Sequence, residues 1–593
     1  MGFLVSPGVE INEIDLTNVI PAVSTSIGGY AGHFNWGPSG ELVNISSEKD
    51  LQSTFGTPDS NHSKSFLVAA SFLKYGNFLK VSRAVNEDAR NAVTGNSSKA
   101  VSSGPVGNLD AFELLTLDAN EYFSARCPGE YGNSLKVIVG HKDSVGTNGN
   151  STITGAFDYN PGTSEAATAA GGDSATTNDE IHLLVIDAEG KFTGIKDTIL
   201  ERYQGLSLSS NAKLITGGSN YYKDVINNSS QFIFAHGLSD VFDNADKEFG
   251  NGAIAQKTTP GTALVNGALE LEFTLGKDGT TTAGALELST TEVIGTGSDT
   301  KPEQGLALFK DAESVDVNLL FATPMTSAAD QTTIEAEILS IAADRKDILG
   351  CGSAPIDLHE KTSDQNKLDH ILAQVPATTS NYFATTGSTV YVFNKHLDRF
   401  EYITTSGYLA GLCANTDDVA EPWFSPAGFN RGQILGAAKL SYNPQQGDRD
   451  TLYKAAINPI TNFPGQGIVL FGDKTFTQKP SAFDRINVRR LFMVLEKAIS
   501  TAAKFQLFEL NDEFTRAMFR NMSEPFLRDV KGRRGITDFL VVCDETNNTG
   551  NIIDTNRFVA DIYIKPARSI NFITLNFIAT RTGVEFSEIV GTN

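Results

Sequence analysis

"SVDVNLLFATP" (314–324) opens the stretch that decides the fold, and "SAADQTTIEAEILSIAADRK" (327–346) and "DILGCGSAP" (347–355) complete it. The first and third segments are apolar and short, which predicts two buried strands, while the second has the spacing of a helix. The apolar residues that share one face of this helix are Ile334, Ile338 and Ile341. A strand-helix-strand order implies a parallel pair joined by a crossover.

The alternation of strands and helices continues on both sides of this stretch. Upstream, "STSIGGYAGHFNWGPSG" (24–40) predicts a buried strand that ends in a glycine-proline turn, and "SKSFLVAASFLKYG" (63–76) predicts a helix. Downstream, "QNKLDHILAQV" (365–375) predicts a helix and "STVYVFN" (388–394) a strand. Because 593 residues are too many for one core, we expect an α+β protein of several domains around a mixed α/β core.

Between residues 96 and 310 the composition changes to Gly, Ser, Thr, Asn and Ala. Residues 141–300 carry 9 basic and 21 acidic side chains. The short runs "HLLVID", "QFIFAH" and "LELEFTL" predict strands joined by loose turns. We interpret this region as one or two inserted, mostly β domains that face solvent.

The overall composition excludes several classes of function. With 47 basic and 70 acidic side chains, the protein lacks the broad basic field that nucleic acid binding needs. Four isolated cysteines predict buried thiols in a reducing compartment, with neither a disulfide framework nor a zinc site. The N-terminus has no signal-peptide pattern, and "INFITLNFIA" is about half as long as a membrane span. We therefore expect a soluble protein that is not secreted.

Catalytic and metal-binding signatures are absent from the sequence. "GDKT" (472–475) resembles a phosphate loop only superficially, and a turn after a strand explains it better. His359 and His370 do not have metal-ligand spacing. Asp417 in "ANTDD" could accept a proton in a cleft, but a loop or N-cap carboxylate is the more common role. We expect no enzyme activity and no cofactor.

Both ends of the chain carry segments in which apolar and polar residues alternate, as in edge strands. "GVEINEIDL" (8–16) and "TGVEFSEIV" (582–590) contain them. Their apolar positions are Val9, Ile11, Ile14, Leu16, Val584 and Phe586. These strands can pair within their own chain or with another subunit.

"RINVRRLFMVLEKAISTAAKF" (485–505) predicts an amphipathic helix with a basic side. Its apolar residues lie within about 80° of Val488, whereas Arg490, Lys497 and Lys504 lie about 160–200° away. Residues 481–540 carry 11 basic and 8 acidic side chains, against the acidic balance of the whole chain. The basic side is either a solvated surface or a contact for an acidic protein partner.

A family resemblance rests on several of these segments. "INPITNFPGQGIVLFGDKTFT", "INVRRLFMVLEKAI" and "FQLFELND" follow one another, and this succession resembles the contractile tail sheath proteins of large, long-tailed (myovirus-type) bacteriophages. "SGYLAGLCANTDDVAEPWFSPAG", "SPGVEINEID" and "AGHFNWGPSGELVNISSEKDLQSTFGTP" are similar to the same family. The resemblance covers residues 1–90 and about 315–593.

The resemblance implies a structural subunit that forms stacked hexameric rings around a tail tube. Contraction would drive the tube through the host envelope without nucleotide hydrolysis. The implied partners are further copies of the chain, the tail tube, the baseplate and the tail terminator, without direct nucleic acid contact or membrane insertion. The implied location is the virion, after assembly in the host cytoplasm.

In such a subunit both terminal strands would be lent to neighbours and complete a C-terminal sheet, while Arg490, Lys497 and Lys504 would face the tube. The implied domains are an N-terminal arm (1–24), a core in two parts (25–95 and 311–480), inserted outer β domain(s) (96–310), a tube-facing C-terminal domain (481–570) and a C-terminal arm (571–593). The alternatives are a sheath subunit of a phage-derived contractile injection system, a surface β adhesin and an unrecognised hydrolase.

Overall fold

The computed structural model describes residues 24–94, 105–113, 122–169, 171, 177–249, 254, 255, 257, 264–279, 281, 282, 285, 286, 288–295, 303–571 and 574. The chain divides into two compact units. The larger unit comprises the described residues up to 507, and the smaller unit comprises those from 508 onward.

The strands of the described residues are β1 (Gly28–Gly32), β2 (Leu42–Ile45), β3 (Leu79–Arg83), β4 (Asn91–Val93), β5 (Phe123–Pro128), β6 (Leu135–Gly140), β7 (Glu180–Asp187), β8 (Thr198–Ser207), β9 (Ile233–Ala235), β10 (Ala268–Glu272), β11 (Thr281–Thr282), β12 (Ala285–Leu286), β13 (Leu319–Ala322), β14 (Leu349–Cys351), β15 (Phe383–Thr386), β16 (Val390–Asn394), β17 (Arg399–Ile403), β18 (Ala437–Leu440), β19 (Ile457–Asn458), β20 (Ile460–Phe463), β21 (Gly467–Leu470), β22 (Ile536–Val542) and β23 (Asp561–Pro566).

The α-helices of the described residues are α1 (Glu48–Phe55), α2 (Ser63–Leu73), α3 (Leu109–Glu113), α4 (Ser151–Ala156), α5 (Glu165–Ala169), α6 (Tyr222–Ser229), α7 (Thr290–Ile294), α8 (Ala328–Arg345), α9 (Asp364–Ala373), α10 (Ser406–Val419), α11 (Gln446–Lys454), α12 (Ile486–Ala503), α13 (Glu513–Gly532) and α14 (Gly550–Asp554).

A seven-stranded sheet forms the centre of the larger unit, with the order β19-β15-β14-β13-β1-β3-β2. All neighbouring strands are parallel except β2 and β3. The predicted strand-helix-strand unit is present as β13, α8 and β14, and β13 pairs with β14 in parallel. The strands and helices predicted around residues 24–40, 63–76 and 365–375 are present as β1, α2 and α9. This confirms a mixed α/β core.

Both faces of this sheet are covered by helices. Tyr30 and Phe321 belong to a buried cluster with residues of α2 and α10, and the ring of Phe321 lies 5.6 Å from that of Phe72. Ala31 and Leu320, the next residues along the same two strands, belong to a different cluster with α8. Alternate strand residues therefore face opposite helical layers. At Gly28 a β-carbon would lie 2.7 Å from the Phe72 ring, so glycine permits the close approach of α2.

The predicted strands "HLLVID", "QFIFAH" and "LELEFTL" are present as β7, β9 and β10. An antiparallel sheet of order β10-β6-β7-β8 and a second sheet of order β4-β5-β9 surround a separate apolar cluster. Val293, Leu306 and Phe309, however, pack in the cluster of the central sheet, together with Ile27 and Ala31. The packing therefore assigns the last residues before 310 to the core.

The smaller unit contains α13, α14 and the antiparallel pair of β22 and β23. The side chain of Asp512 accepts a hydrogen bond from the Thr515 amide and so caps the start of α13. α13 packs against β22, and its buried side chains include Phe519, Leu527 and Val530. The pair thus has one covered face.

Cys127, Cys351, Cys413 and Cys543 are all buried free thiols, and their burial is as predicted. In the described parts of the chain, every helix is too short or too polar to cross a bilayer.

Candidate functional site

The predicted basic helix is present as α12, and its apolar face is buried as expected. Leu491, Leu495 and Ile499 are all inaccessible or nearly so. The predicted exposure of Arg490 is wrong, because this residue is only 4% exposed. A helical wheel gives the direction of a side chain relative to its own helix, whereas other segments of the fold determine what covers it.

Arg490 forms a buried ion pair with Asp417 of α10. Its Nη2 lies 2.6 Å from Oδ2 of Asp417 and also donates to the Thr25 carbonyl at 3.2 Å, while Nη1 donates to the Cys413 carbonyl at 3.1 Å. Burial opposes the charged guanidinium, but the carboxylate of Asp417 raises the pKa of Arg490 above its ordinary value. Asp417 lies within α10 and is paired with a buried cation, so it is neither a loop nor an N-cap carboxylate.

Lys497 continues the same contact two turns further along the polar side of α12. Its Nζ pairs with the carboxylate of Asp316 and donates to the Ser24 carbonyl at 3.4 Å. Ser24 and Thr25 are the first two residues that the structure describes. We call Arg490, Asp417, Lys497 and Asp316 the arm anchor, because they contact the chain where the predicted N-terminal arm ends.

Met493 and Val494 of α12, with Asn318 and Asp347, complete a small pocket around the contact between α12 and residues 24 and 25. The arm anchor was missed at the sequence level, although one signal was available. Asp417 lies on a helix that is apolar for most of its length and largely buried, and a buried carboxylate requires a cation.

The third residue of the predicted stripe, Lys504, lies just after α12 and is exposed. The stripe therefore does not form a continuous exposed surface: Arg490 is buried, Lys497 pairs with Asp316 and is 20% exposed, and Lys504 is exposed. The assignment of Lys504 to a tube-facing surface stays a prediction.

The pair of β22 and β23 has the properties of an assembly edge. Among the described residues, neither strand has a partner on its outer side. Leu540 and Tyr563 are directly opposite each other across the pair and are 58% and 61% exposed. The predicted inter-subunit residues Val9, Ile11, Ile14, Leu16, Val584 and Phe586 lie outside the described residues.

Further apolar side chains are exposed where the chain passes from α12 to α13. They are Phe505, Leu507, Phe508, Leu510 and Phe514. Phe505 and Leu507 end the larger unit, and the other three begin the smaller unit. Exposed apolar side chains of this size are a feature of protein contact surfaces.

The described residues contain no group of His, Cys, Asp and Glu side chains that could hold a metal ion. His370 pairs with Asp357 at 2.9 Å, and the Nδ1 atom of His359 lies 2.7 Å from the Ile356 carbonyl. In the "GDKT" turn, Asp473 pairs with Arg485 and Lys474 donates to the Tyr453 carbonyl. Each of these polar groups has a structural partner.

Comparison with known proteins gives matches along most of the chain. Family models match at residues 25–84 (tail sheath protein Gp18 domain III N-terminal region), 301–476 (phage tail sheath protein central domain) and 478–580 (phage tail sheath C-terminal domain). Residues 85–300, which contain the β6 and β7 strands, lie between the first two matched ranges.

Individual relatives match over the full length. The tail sheath protein of Vibrio phage KVP40 is 34% identical over 99% of this chain and 100% of its own length. That of Enterobacteria phage T4 is 33% identical over 99% of both proteins. A crystallised sheath tail protein from Listeria innocua shares the fold, with a TM-score of 0.51 at 12% identity over 92% of this chain and 96% of that protein.

Proposed function

This chain belongs to the phage tail sheath family, whose members are structural virion proteins of contractile tails, and from this premise we propose how it assembles and works. The subunits form stacked hexameric rings around a tail tube, and contraction drives the tube through the host envelope. The energy for contraction is stored when the sheath assembles, so no nucleotide is hydrolysed. Because the chain is similar to tail sheath proteins over its full length, we no longer propose a surface adhesin or a hydrolase.

The single observation that carries the proposal is the incomplete sheet of β22 and β23. An isolated two-stranded pair is marginally stable in water, yet this pair exposes Leu540 opposite Tyr563 on one face. Both chain ends carry alternating segments of the length that an added strand requires. We propose that terminal arms of neighbouring subunits add strands to this pair and link the subunits into rings and layers.

The remaining partners follow from the same assembly. The sheath encloses a tail tube and ends at a baseplate and a tail terminator, and it assembles in the host cytoplasm. Lys504 is the residue of the original stripe that can still face an acidic tube, through a weak and salt-sensitive contact. Reversal of its charge to Glu should weaken co-assembly with tubes at low salt, and unchanged co-assembly would remove Lys504 from that role.

The inserted region is proposed as an outer domain, with a boundary adjusted to the packing. Because Val293, Leu306 and Phe309 pack in the core, whereas β4 pairs with β5 of the inserted region, the dispensable residues are about 90–288 and not 96–310. Removal of these residues with a short linker should leave tube formation intact, and a folded subunit that no longer polymerises would contradict the outer position.

The experiment that tests the proposal is deletion of residues 1–20. The strands that the structure describes in the central sheet lie between residues 28 and 458, so the shortened protein should remain a folded monomer, as circular dichroism and sedimentation would show. Negative-stain microscopy should find tubes for the full chain and none for the deletion. Normal tubes from the deletion would contradict strand exchange.

Two double substitutions within the N-terminal arm test whether its sequence is needed for tube formation, while the length of the arm stays the same. Val9→Asp with Ile11→Asp removes the apolar side of the proposed added strand and should abolish tubes. Glu10→Gln with Asn12→Gln changes the other side of the same segment and serves as the control, which should still polymerise.

A further inference from the structure

We propose that the arm anchor fixes the base of the N-terminal arm to the subunit body, so that tension carried by the arm enters the body through α12 and β1. The inference rests on the proposed strand exchange, because tension reaches residue 24 only if the arm is held by a neighbour. It gives the buried cation Arg490 a role in positioning the arm, in place of contact with a tube.

The first support is the geometry of Arg490. Its guanidinium contacts three oxygens at once: the carboxylate of Asp417, the carbonyl of Cys413 and the carbonyl of Thr25. Two of these belong to α10, whereas the third belongs to the segment that leads into the arm. A planar guanidinium with several fixed donors can hold such a set, which a lysine ammonium cannot reproduce.

The second support is the continuity between residue 25 and the central sheet. Only two residues separate Thr25 from Gly28, where β1 begins, and the Ile27 carbonyl already accepts hydrogen bonds from the amides of Asn318 and Leu319. β1 lies inside the sheet with parallel partners on both sides. A pull on the arm along β1 would therefore have to shear two ladders and the contacts with α12 together.

The third support is that stability does not by itself explain why the fold keeps a buried ion pair. Removing two charges from water costs energy that their attraction offsets only in part, and apolar residues of similar size often stabilise as well or better. Such a pair does confer a specific geometry, and here it determines where residues 24 and 25 lie. Lys497 and Asp316 repeat the arrangement at a more exposed position, where salt screens the attraction.

The chain offers a matched control on the same helix. Arg489 is adjacent to Arg490 and is equally buried, but it pairs with Glu496 and stacks on Tyr382 and Phe483. Replacement by lysine at either position exchanges a buried guanidinium on α12 for an ammonium group, which keeps the charge but loses the planar set of donors. Only the change at Arg490 removes contacts to the arm base.

The experiment places a nitroxide spin label on Ser24→Cys in the full-length monomer. The four native cysteines are buried, and Ser24 itself is exposed, so labelling will be selective. Arg490→Lys should raise the ratio of mobile to immobilised label in the spectrum on the order of fivefold, because a charged hydrogen bond that favours the fixed segment is lost. Arg489→Lys should leave this ratio as in the parent protein, while both variants keep a similar unfolding midpoint.

Equal label motion in the parent, Arg490→Lys and Arg489→Lys proteins would overturn the anchor. If Arg490→Lys does not fold, Lys497→Met with Asp316→Asn tests the exposed half by the same criterion, and Lys504→Met is its control. The label is read in monomers, so the outcome is independent of tube formation. Failure of strand exchange would instead appear as normal tubes after deletion of residues 1–20.

Discussion

The seven-stranded sheet of the larger unit and the two-stranded pair of the smaller unit differ in how far each is complete. In the first, Phe321 is fully buried, and helices cover both faces. In the second, Leu540 is 58% exposed, and among the described residues neither outer edge has a partner. The first sheet obtains its stability within one subunit, whereas the second has the form of a binding surface.

This difference separates two quantities that are often confused, the stability of a subunit and its ability to assemble. Substitutions in the central sheet should lower the free energy of unfolding of the monomer. Substitutions in the pair of β22 and β23 should leave that free energy nearly unchanged and act on assembly. Three predictions examine the separation, in decreasing order of their effect on the subunit.

The largest effect is expected for Phe321→Ala. The ring packs 5.0 Å from Tyr30 and 5.6 Å from Phe72 in a fully buried cluster. Its removal leaves a cavity and should lower the free energy of unfolding by about 3–5 kcal/mol. Urea denaturation followed by circular dichroism measures the change. A loss below about 1 kcal/mol would contradict the view that the central sheet is complete within one subunit.

A smaller, pH-dependent effect is expected for Glu335→Gln on α8. Burial raises the pKa of Glu335 from 4.5 to about 7, although hydrogen bonds from Ser353 and Gln331 oppose the shift. Between these values the folded protein holds a proton that the unfolded chain releases, so stability falls as pH rises from about 4.5 to about 7. The total loss is about 3 kcal/mol.

A glutamine at position 335 stays neutral, so the variant should be more stable than the parent at pH 8 and should differ little at pH 4.5. Urea denaturation at the two pH values measures this. The control is Glu337→Gln on the same helix, which removes a partly exposed pair with Lys310 and should change stability by less than about 1 kcal/mol at either pH. If Glu335→Gln and the parent have the same free energy of unfolding at pH 8, then ionisation of Glu335 does not destabilise the folded protein and the prediction is wrong.

How far the sequence predicted these features depends on whether a feature is local. The β13, α8 and β14 unit was predictable because the hydrophobic spacing within each segment determines it. β15 was not predicted, since "FATT" is short and half polar and becomes a buried strand only between β14 and β19. The fate of Arg490 depended on Asp417, 73 residues away in sequence, which no helical wheel contains. The assignment of the terminal strands falls outside the described residues.

The smallest effect on the subunit, and the largest on the assembly, is expected for Leu540→Ser. More than half of this side chain is exposed in the subunit, so its loss should change the free energy of unfolding by no more than about 0.5 kcal/mol. If neighbouring arms add strands at the edges of this pair, their apolar side chains pack beside Leu540 and Tyr563 on the same face. The same substitution then removes apolar contact at every subunit interface, and the penalty repeats along the tube. Sedimentation should then show a several-fold rise in the protein concentration needed for tube formation, with monomer unfolding unchanged.

The control is Ile195→Ser. Ile195 lies in the loop before β8 and is even more exposed than Leu540, so this variant tests for a general effect of surface hydrophobicity and should polymerise like the parent. Normal polymerisation of Leu540→Ser would place this face outside the interface, whereas a large loss of monomer stability would show that the pair of strands belongs to the subunit's own core.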